Sequence, residues 1–161
     1  MTGFAGSYTV RLMFASIVVG TDGSATASAA VRRACELAEA HSSDLHIVSA
    51  YPSSVAPMVA RGMDPQSLPN TIDDQDADVR AAVERMLEAL RQQLAGAGIK
   101  ITTHAVGYEP ITAILDVAKA QQADLIVVGN KGMQGPQRKL GNVPDVLAHK
   151  APCDVLIVNT T

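Results

Sequence analysis

Short apolar runs recur along this chain and predict the strands of a sheet. Four runs are compact and rich in β-branched residues: 14–19 (FASIVV), 45–50 (LHIVSA), 125–128 (LIVV) and 155–158 (VLIV). A fifth, 99–106 (IKITTHAV), alternates between apolar and polar positions. Such runs, bounded by turn residues, are typical of buried strands. The pattern therefore predicts five strands.

Helical patterns separate these runs. Apolar residues recur at helical spacing after Ser24, which suits a helix N-cap, and after Pro110, which suits a first helical position. A third helix is predicted to bury a stripe made of Val79, Val83, Met86, Leu90 and Leu94. A short fourth helix has Pro144 in its first turn, and Pro152 ends it.

The alternation of strands and helices predicts the fold class. A βαβαβαβαβ order calls for a single α/β domain, in which helices cover both faces of a parallel sheet. We expect the strand order 3-2-1-4-5. Ligands of such sheets bind beyond the carboxyl ends of the strands, where the strand order reverses. The turns after strands one, two and four are therefore the places to search.

The stretch 52–78 is rich in Pro, Ser, Asp and Gly and is predicted to be a long loop. Four acidic residues at its end are Asp73, Asp74, Asp76 and Asp78. Their spacing is similar to that of a calcium loop, but Val79 stands where the turn glycine would be needed. We interpret them instead as an acidic first turn of the following helix, which the helix dipole favours.

Composition limits the class of protein. The chain has 161 residues, 47% of them hydrophobic, and a net charge of −3, which indicates a soluble domain and argues against a general nucleic-acid binder. No apolar run is long enough for a membrane span. Residues 1–12 are predicted to be an N-terminal extension rather than a signal peptide. Cys35 and Cys153 are in no CxxC pair, so we expect two buried thiols in a reducing cytoplasm.

Common catalytic motifs are absent from the sequence. There is no GxSxG, Walker A or GxGxxG pattern. The histidines are scattered without metal-ligand spacing and are expected to be surface or half-buried side chains: His41, His46, His104 and His149. The glycine-rich loop after the fourth strand remains, and it contains Arg138 and Lys139. Its residue types suit either a phosphate site or an ordinary flexible loop.

Three segments together resemble the universal stress protein family over residues 14–159. They are IVVGTDGS after strand one, VGYEPITAILDVAKAQQADLIVVGNKG, and LGNVPDVLAHKAPCDVLIV. The resemblance implies a Rossmann-like, adenine nucleotide alpha hydrolase-like fold, with a universal stress protein domain at 13–161.

The nucleotide-binding branch of that family implies a site for ATP, ADP, AMP or cyclic AMP across the ends of strands one, two and four. Magnesium would accompany ATP. The residues implied at the adenine and ribose are Gly20, Thr21, Asp22 and Ala50. Those implied at the phosphates are Gly129, Asn130, Lys131, Gly132, Gly141, Asn142 and Val143. The backbone amides of Asn142 and Val143 are expected to point outward as donors.

Two departures from the family pattern lie at the phosphate end. The loop between Gly132 and Gly141 is one residue shorter than usual, and Asn142 stands where the family has Ser or Thr. The number of phosphates that the site holds is therefore open.

The leading hypothesis is a stress-response sensor or regulator that binds an adenine nucleotide. The alternative is a protein-interaction module of the same fold that binds no nucleotide. An enzyme, such as a slow ATPase, ranks lower because no general base is evident near the loop. Val155 to Val158 would form an apolar sheet edge, so we expect a homodimer through this strand. Neither nucleic acid nor a membrane is an expected partner.

Overall fold

The computed structural model of the chain describes residues 13–68, 70–130 and 142–160, and only the backbone of 70–73. Within this part the strands are β1 (Ser16–Gly20), β2 (Asp44–Ala50), β3 (Ile101–Val106), β4 (Leu125–Gly129) and β5 (Asp154–Val158). They form one five-stranded parallel sheet in the order β3-β2-β1-β4-β5. The predicted fold class and strand order are confirmed.

Helices cover both faces of this sheet. They are α1 (Ala25–His41), α2 (Ala56–Ala60), α3 (Asn70–Gln93), α4 (Pro110–Ala120) and α5 (Val143–Lys150), with 3-10 turns at Pro65–Ser67 and Ala95–Ala97. The α1 and α3 helices pack on one face, and α4 and α5 pack on the other. Among the described helices, none combines the length and the apolar character that crossing a membrane requires.

The core is centred on β1. Ile17, Val18 and Val19 are 0% exposed, because the strand has a neighbour on each edge and a helix layer on each face. Ile17 and Val19 pack with α1 and α3, whereas Val18 packs with α4. This alternation follows from the two-residue period of a strand.

Both predicted helix starts are confirmed. The Ser24 hydroxyl accepts a hydrogen bond from the Ala27 amide at 3.2 Å, and α4 begins at Pro110. β1, however, begins at Ser16 rather than at residue 14. The Asp124 carboxylate accepts from the amides of Ala15 (2.6 Å) and Ser16 (3.0 Å), which fixes the chain just before the strand.

The predicted long loop at 52–78 is wrong. This stretch contains α2, a 3-10 turn and the first turns of α3, which begins at Asn70. The four aspartates lie along the first three turns of α3 rather than ahead of them. Local sequence missed this because the order of 53–55 depends on Asp76, whose carboxylate accepts from the Ser53 hydroxyl and from two backbone amides.

The predicted apolar stripe of α3 is wrong at its first member. Val79 is 38% exposed, whereas Leu87, which the stripe omitted, is 1% exposed. A helix of 24 residues spans about 36 Å. The six residues of β3 span about 20 Å. The first turns of α3, including Val79, therefore extend beyond the strands that the helix covers.

The two cysteines are unpaired. Cys35 is buried in α1, and Cys153 is half-buried just before β5. Burial is the main cause that raises the pKa of both thiols, so both stay protonated at neutral pH.

Two of the histidines meet on the α4 side of the sheet, which the sequence did not predict. His46 pairs in register with Thr102 and His104 with Val48, so the two rings lie diagonally across β2 and β3. Nδ1 of His46 lies 3.2 Å from Nε2 of His104, and His46 is 5% exposed. In the described residues, no group of three or more potential ligands could hold a metal ion here or elsewhere.

Burial lowers the pKa of both histidines. For His46 the neighbouring His104 lowers the pKa further, Asp44 raises it in part, and Lys100 lowers it. A histidine with a lowered pKa takes up its proton more readily in the unfolded chain. The stability that the two neutral histidines contribute is therefore fully present above the ordinary pKa of about 6.5. It is lost as the pH falls from there through the lowered pKa.

We expect His46→Asn to weaken this acid destabilisation. The asparagine amide can take the place of the ring Nδ1 but does not titrate. Urea unfolding at pH 7, 6 and 5 measures the effect: the free energy of unfolding should fall less steeply in the variant than in the wild type. His149→Asn is the matched control, because that side chain is 77% exposed. Equal slopes for wild type and His46→Asn would contradict the role of the pair.

Candidate functional site

A cavity of about 220 Å³ opens at the carboxyl ends of β1, β2 and β4, where the strand order reverses. Six of the residues that the sequence predicted line it: Gly20, Thr21, Asp22, Ala50, Gly129 and Val143. Eight further lining residues were not predicted as site residues: Thr26, Ala27, Val48, Pro110, Ile114, Val128, Pro144 and Thr160. Lys131, Gly132 and Gly141 lie outside the described residues.

The turn after β1 is fixed by hydrogen bonds. The amide of Thr21 donates to the Val48 carbonyl at 2.9 Å, which continues the sheet one residue past the strand. The Thr21 hydroxyl then accepts from the Gly23 amide (3.1 Å), and Oδ1 of Asp22 accepts from the Ser24 amide (2.9 Å). Gly23 has φ +76°, a conformation that favours glycine. The turn therefore holds the exposed Asp22 carboxylate at the edge of the cavity.

Two glycines allow the cavity walls to approach closely. A Cβ at Gly20 would lie 2.6 Å from the δ-methyl group of Ile114, and a Cβ at Gly129 would lie 2.9 Å from the γ-methyl group of Thr160. Both distances are shorter than van der Waals contact. The missing side chains thus let Ile114 and Thr160 form the walls of the cavity.

Asn130 supports one of these walls. Its Oδ1 accepts from the amide (3.0 Å) and the hydroxyl (2.8 Å) of Thr160, and its Nδ2 donates to the side chain of Asn159 at 3.1 Å. Asn130 itself is not among the lining residues. In this structure it fixes the segment after β5 against the end of β4.

The start of α5 offers fewer amide donors than most helix starts. The Asn142 side chain accepts from the Asp145 amide at 3.0 Å, as an N-cap, and the Asn142 carbonyl accepts from the Val146 amide at 3.1 Å. Pro144 has no N–H. Among the amides of residues 143–146, only that of Val143 is left to bind an anion. Asp145 adds a negative charge to the same turn.

The chemistry of the lining suits binding. Among the described lining residues Asp22 carries the only charge, and the rest are glycines, apolar residues and threonines. An apolar slot with a carboxylate at its edge fits a flat heterocycle attached to a group that carries hydroxyls. The carboxylate can accept hydrogen bonds from those hydroxyls.

Comparison with known proteins identifies the family. The model of the universal stress protein family matches residues 13–159. Universal stress protein Rv1636 of Mycobacterium tuberculosis strain H37Rv is 32% identical over 92% of this chain and 98% of that protein. A solved structure of a universal stress protein in complex with cAMP is also 32% identical, with a TM-score of 0.67, 92% of this chain covered and 98% of that chain.

The universal stress protein UspA from Lactobacillus plantarum shares the fold, with a TM-score of 0.71 at 24% identity, over 90% of this chain and 97% of that one. Because the family model spans nearly the whole described domain, the family is shown by sequence as well as by fold. The chain belongs to the universal stress protein family.

Proposed function

We propose that this protein binds an adenine nucleotide in the cavity at the ends of β1, β2 and β4, and acts as a sensor or regulator rather than as an enzyme. The observation that carries the proposal is the position of Asp22 beside an apolar slot. The related protein with 32% identity whose structure contains cAMP supports the same ligand class. We also propose the cytoplasmic location that the sequence predicts.

The dimensions of the cavity suggest how the nucleotide lies. Ligand pockets usually measure about 300–1,000 Å³, and this one is about 220 Å³. We therefore place the base between Val48, Ile114 and Val128 and the ribose hydroxyls against Asp22. The phosphate lies outside the slot, toward the start of α5.

Within the described part of the chain, the donors near the start of α5 fit one phosphate better than three. The first turn of α5 supplies the Val143 amide as a donor, and Asp145 repels further negative charge. AMP or cAMP is therefore the proposed ligand, and ATP with Mg²⁺ is the weaker alternative. Asp22 is placed at the ribose rather than at the phosphate, so the described lining offers no group to activate water there.

Calorimetric titration with cAMP, AMP and ATP tests the site. Gly20→Ala should weaken binding at least tenfold, about 1.4 kcal/mol, because the new Cβ would push the δ-methyl group of Ile114 into the slot. Gly20→Ala combined with Ile114→Val should restore most of the affinity, since valine lacks that methyl group.

The matched control is Gly96→Ala, because a Cβ at Gly96 meets nothing within 4 Å. Its affinity should equal that of the wild type. A wild-type protein that gives no heat with any of the three nucleotides would contradict the proposal. That result would favour the protein-interaction module instead.

Pro144→Ala tests the proposed limit on the number of phosphates that the site binds. Alanine restores an amide donor to the first turn of α5, and a hydrogen bond to a charged group contributes about 1.5–3 kcal/mol. We expect the affinity for ATP to rise relative to that for AMP. Pro57→Ala is the control, because Pro57 occupies the same position near the start of α2. An unchanged ratio of ATP to AMP affinity in Pro144→Ala would contradict the assignment of the phosphate to this turn.

We also propose a homodimer through β5. This strand is at the sheet edge, and Val155, Leu156 and Ile157 are half-buried in the single chain. Light scattering at micromolar concentration should give twice the chain mass. Ile157→Lys should give the monomer mass, because a charge at an edge strand opposes pairing. Ala40→Lys, on the exposed side of α1, is the control, and a monomeric wild type would contradict this interface.

A further inference from the structure

A second cavity of about 400 Å³ lies at the carboxyl ends of β2 and β3, on the side of the sheet that α3 covers. The segment that follows β2, the exposed turns of α3 and the turn after β3 enclose it. Its described walls combine apolar side chains, such as Val55 and Val59, with five polar ones: Tyr51, Ser53, Asp76, Arg80 and Tyr108. No part of the nucleotide proposal uses these residues.

Asp76 fixes the wall that the segment after β2 provides. Its carboxylate accepts from the Ser53 hydroxyl and from the amides of Ser54 and Val55, the last two at 3.1 Å. Burial alone would raise the pKa of Asp76, but these hydrogen bonds together lower it. Because both carboxylate oxygens are engaged, Asp76 acts as a structural residue and stays ionised.

Tyr51 points its hydroxyl at this cavity without a hydrogen-bond partner. The residue is 9% exposed, and its amide donates to the Val106 carbonyl at 3.0 Å. A Cβ at Gly107 would lie 3.1 Å from the hydroxyl oxygen, so the missing side chain makes room for it. No group in the described residues hydrogen-bonds that oxygen. The hydroxyl faces the open cavity and is therefore available to donate to a ligand there.

Arg80 supplies a positive charge next to this hydroxyl. Its Nε donates to Oε1 of Glu84 at 2.8 Å, which leaves the two terminal nitrogens of the guanidinium as donors. Burial raises the pKa of Tyr51, the charge of Arg80 lowers it in part, and the charges of Asp76 and Glu84 raise it. Tyr51 therefore remains a neutral O–H donor beside a cation.

From this geometry we propose that the cavity binds a small monocarboxylate with a flat apolar body, held by the Tyr51 hydroxyl and the Arg80 guanidinium. Both residues line the same cavity, so each can donate to one oxygen of a single carboxylate. The ring of Tyr108 and the valines contact the apolar body. Asp76 lines the cavity and Glu84 is paired with Arg80, so negative charge near the site opposes any anion. A monoanion meets less of this repulsion than a phosphate dianion does.

The site is separate from the nucleotide cavity but shares the end of β2 with it. Ala50 lines the nucleotide cavity and Tyr51 lines the second one. Successive residues of an extended chain point to opposite faces of a sheet, so the two ligands occupy opposite sides of the same chain segment. Both can be bound at once.

Titration with sodium benzoate, followed by amide NMR shifts, tests the proposal. The amides of Tyr51, Arg80 and Gly107 should shift, and those around Gly20 should not. Benzamide has the same shape without the charge and should bind at least tenfold more weakly. Tyr51→Phe and Arg80→Gln should each weaken benzoate binding at least tenfold, and Arg85→Gln, at another exposed arginine of α3, should leave it unchanged.

Stability separates a binding role of the hydroxyl from a structural one. Because Tyr51 makes no hydrogen bond through its side chain, Tyr51→Phe should keep or raise the thermal unfolding midpoint while benzoate binding is lost. Equal binding of benzamide, unchanged benzoate affinity in Tyr51→Phe, or no amide shift at millimolar benzoate would each overturn the proposal. The nucleotide titrations use variants of other residues. A failure of the carboxylate proposal is therefore distinguishable from a failure of the nucleotide proposal.

Discussion

The burial of β1 on both faces and both edges is the constraint on which the rest of the structure depends. Its three central residues are fully buried, and the chain must turn directly after them at a crowded edge of the sheet. The last residue of the strand therefore has no room for a side chain. Gly20 meets that need, and Ile114 of α4 takes the space that a side chain would have filled. The cavity at the ends of β1, β2 and β4 is therefore a consequence of how the central strand ends.

The sequence predicted those parts of the site that depend on local chemistry. The turn at Asp22 follows a buried strand directly, so strand period and turn residues were enough to place the turn. The role of Asp22 in the site was implied by the resemblance to the family. Ile114 and Thr160 were not predicted as site residues, because they reach the cavity by packing against glycines that are distant along the chain. An apolar position at helical spacing indicates burial, but it does not indicate whether the side chain meets other core residues or a ligand.

Prediction failed where one residue fixes a distant segment. Asp76 looked like an acidic start of a helix, yet its carboxylate organises residues 53–55 through three hydrogen bonds. His46 and His104 looked scattered, because their approach depends on the register of β2 with β3. Strand order and face follow from periodicity, but side-chain pairs across strands require the register itself.

The end of β2 separates two cavities of the fold. Ala50 has a small side chain on the α4 side, which leaves space for a ligand there, and Tyr51 fills the α3 side with a ring whose hydroxyl has no partner in the described chain. A one-residue shift in the register of β2 would exchange these two faces and abolish both cavities. The two pairs of hydrogen-bonded neighbours at this end, Thr21 with Val48 and Tyr51 with Val106, oppose such a shift. The same backbone contacts that end the sheet therefore also keep the two cavities on opposite sides of it.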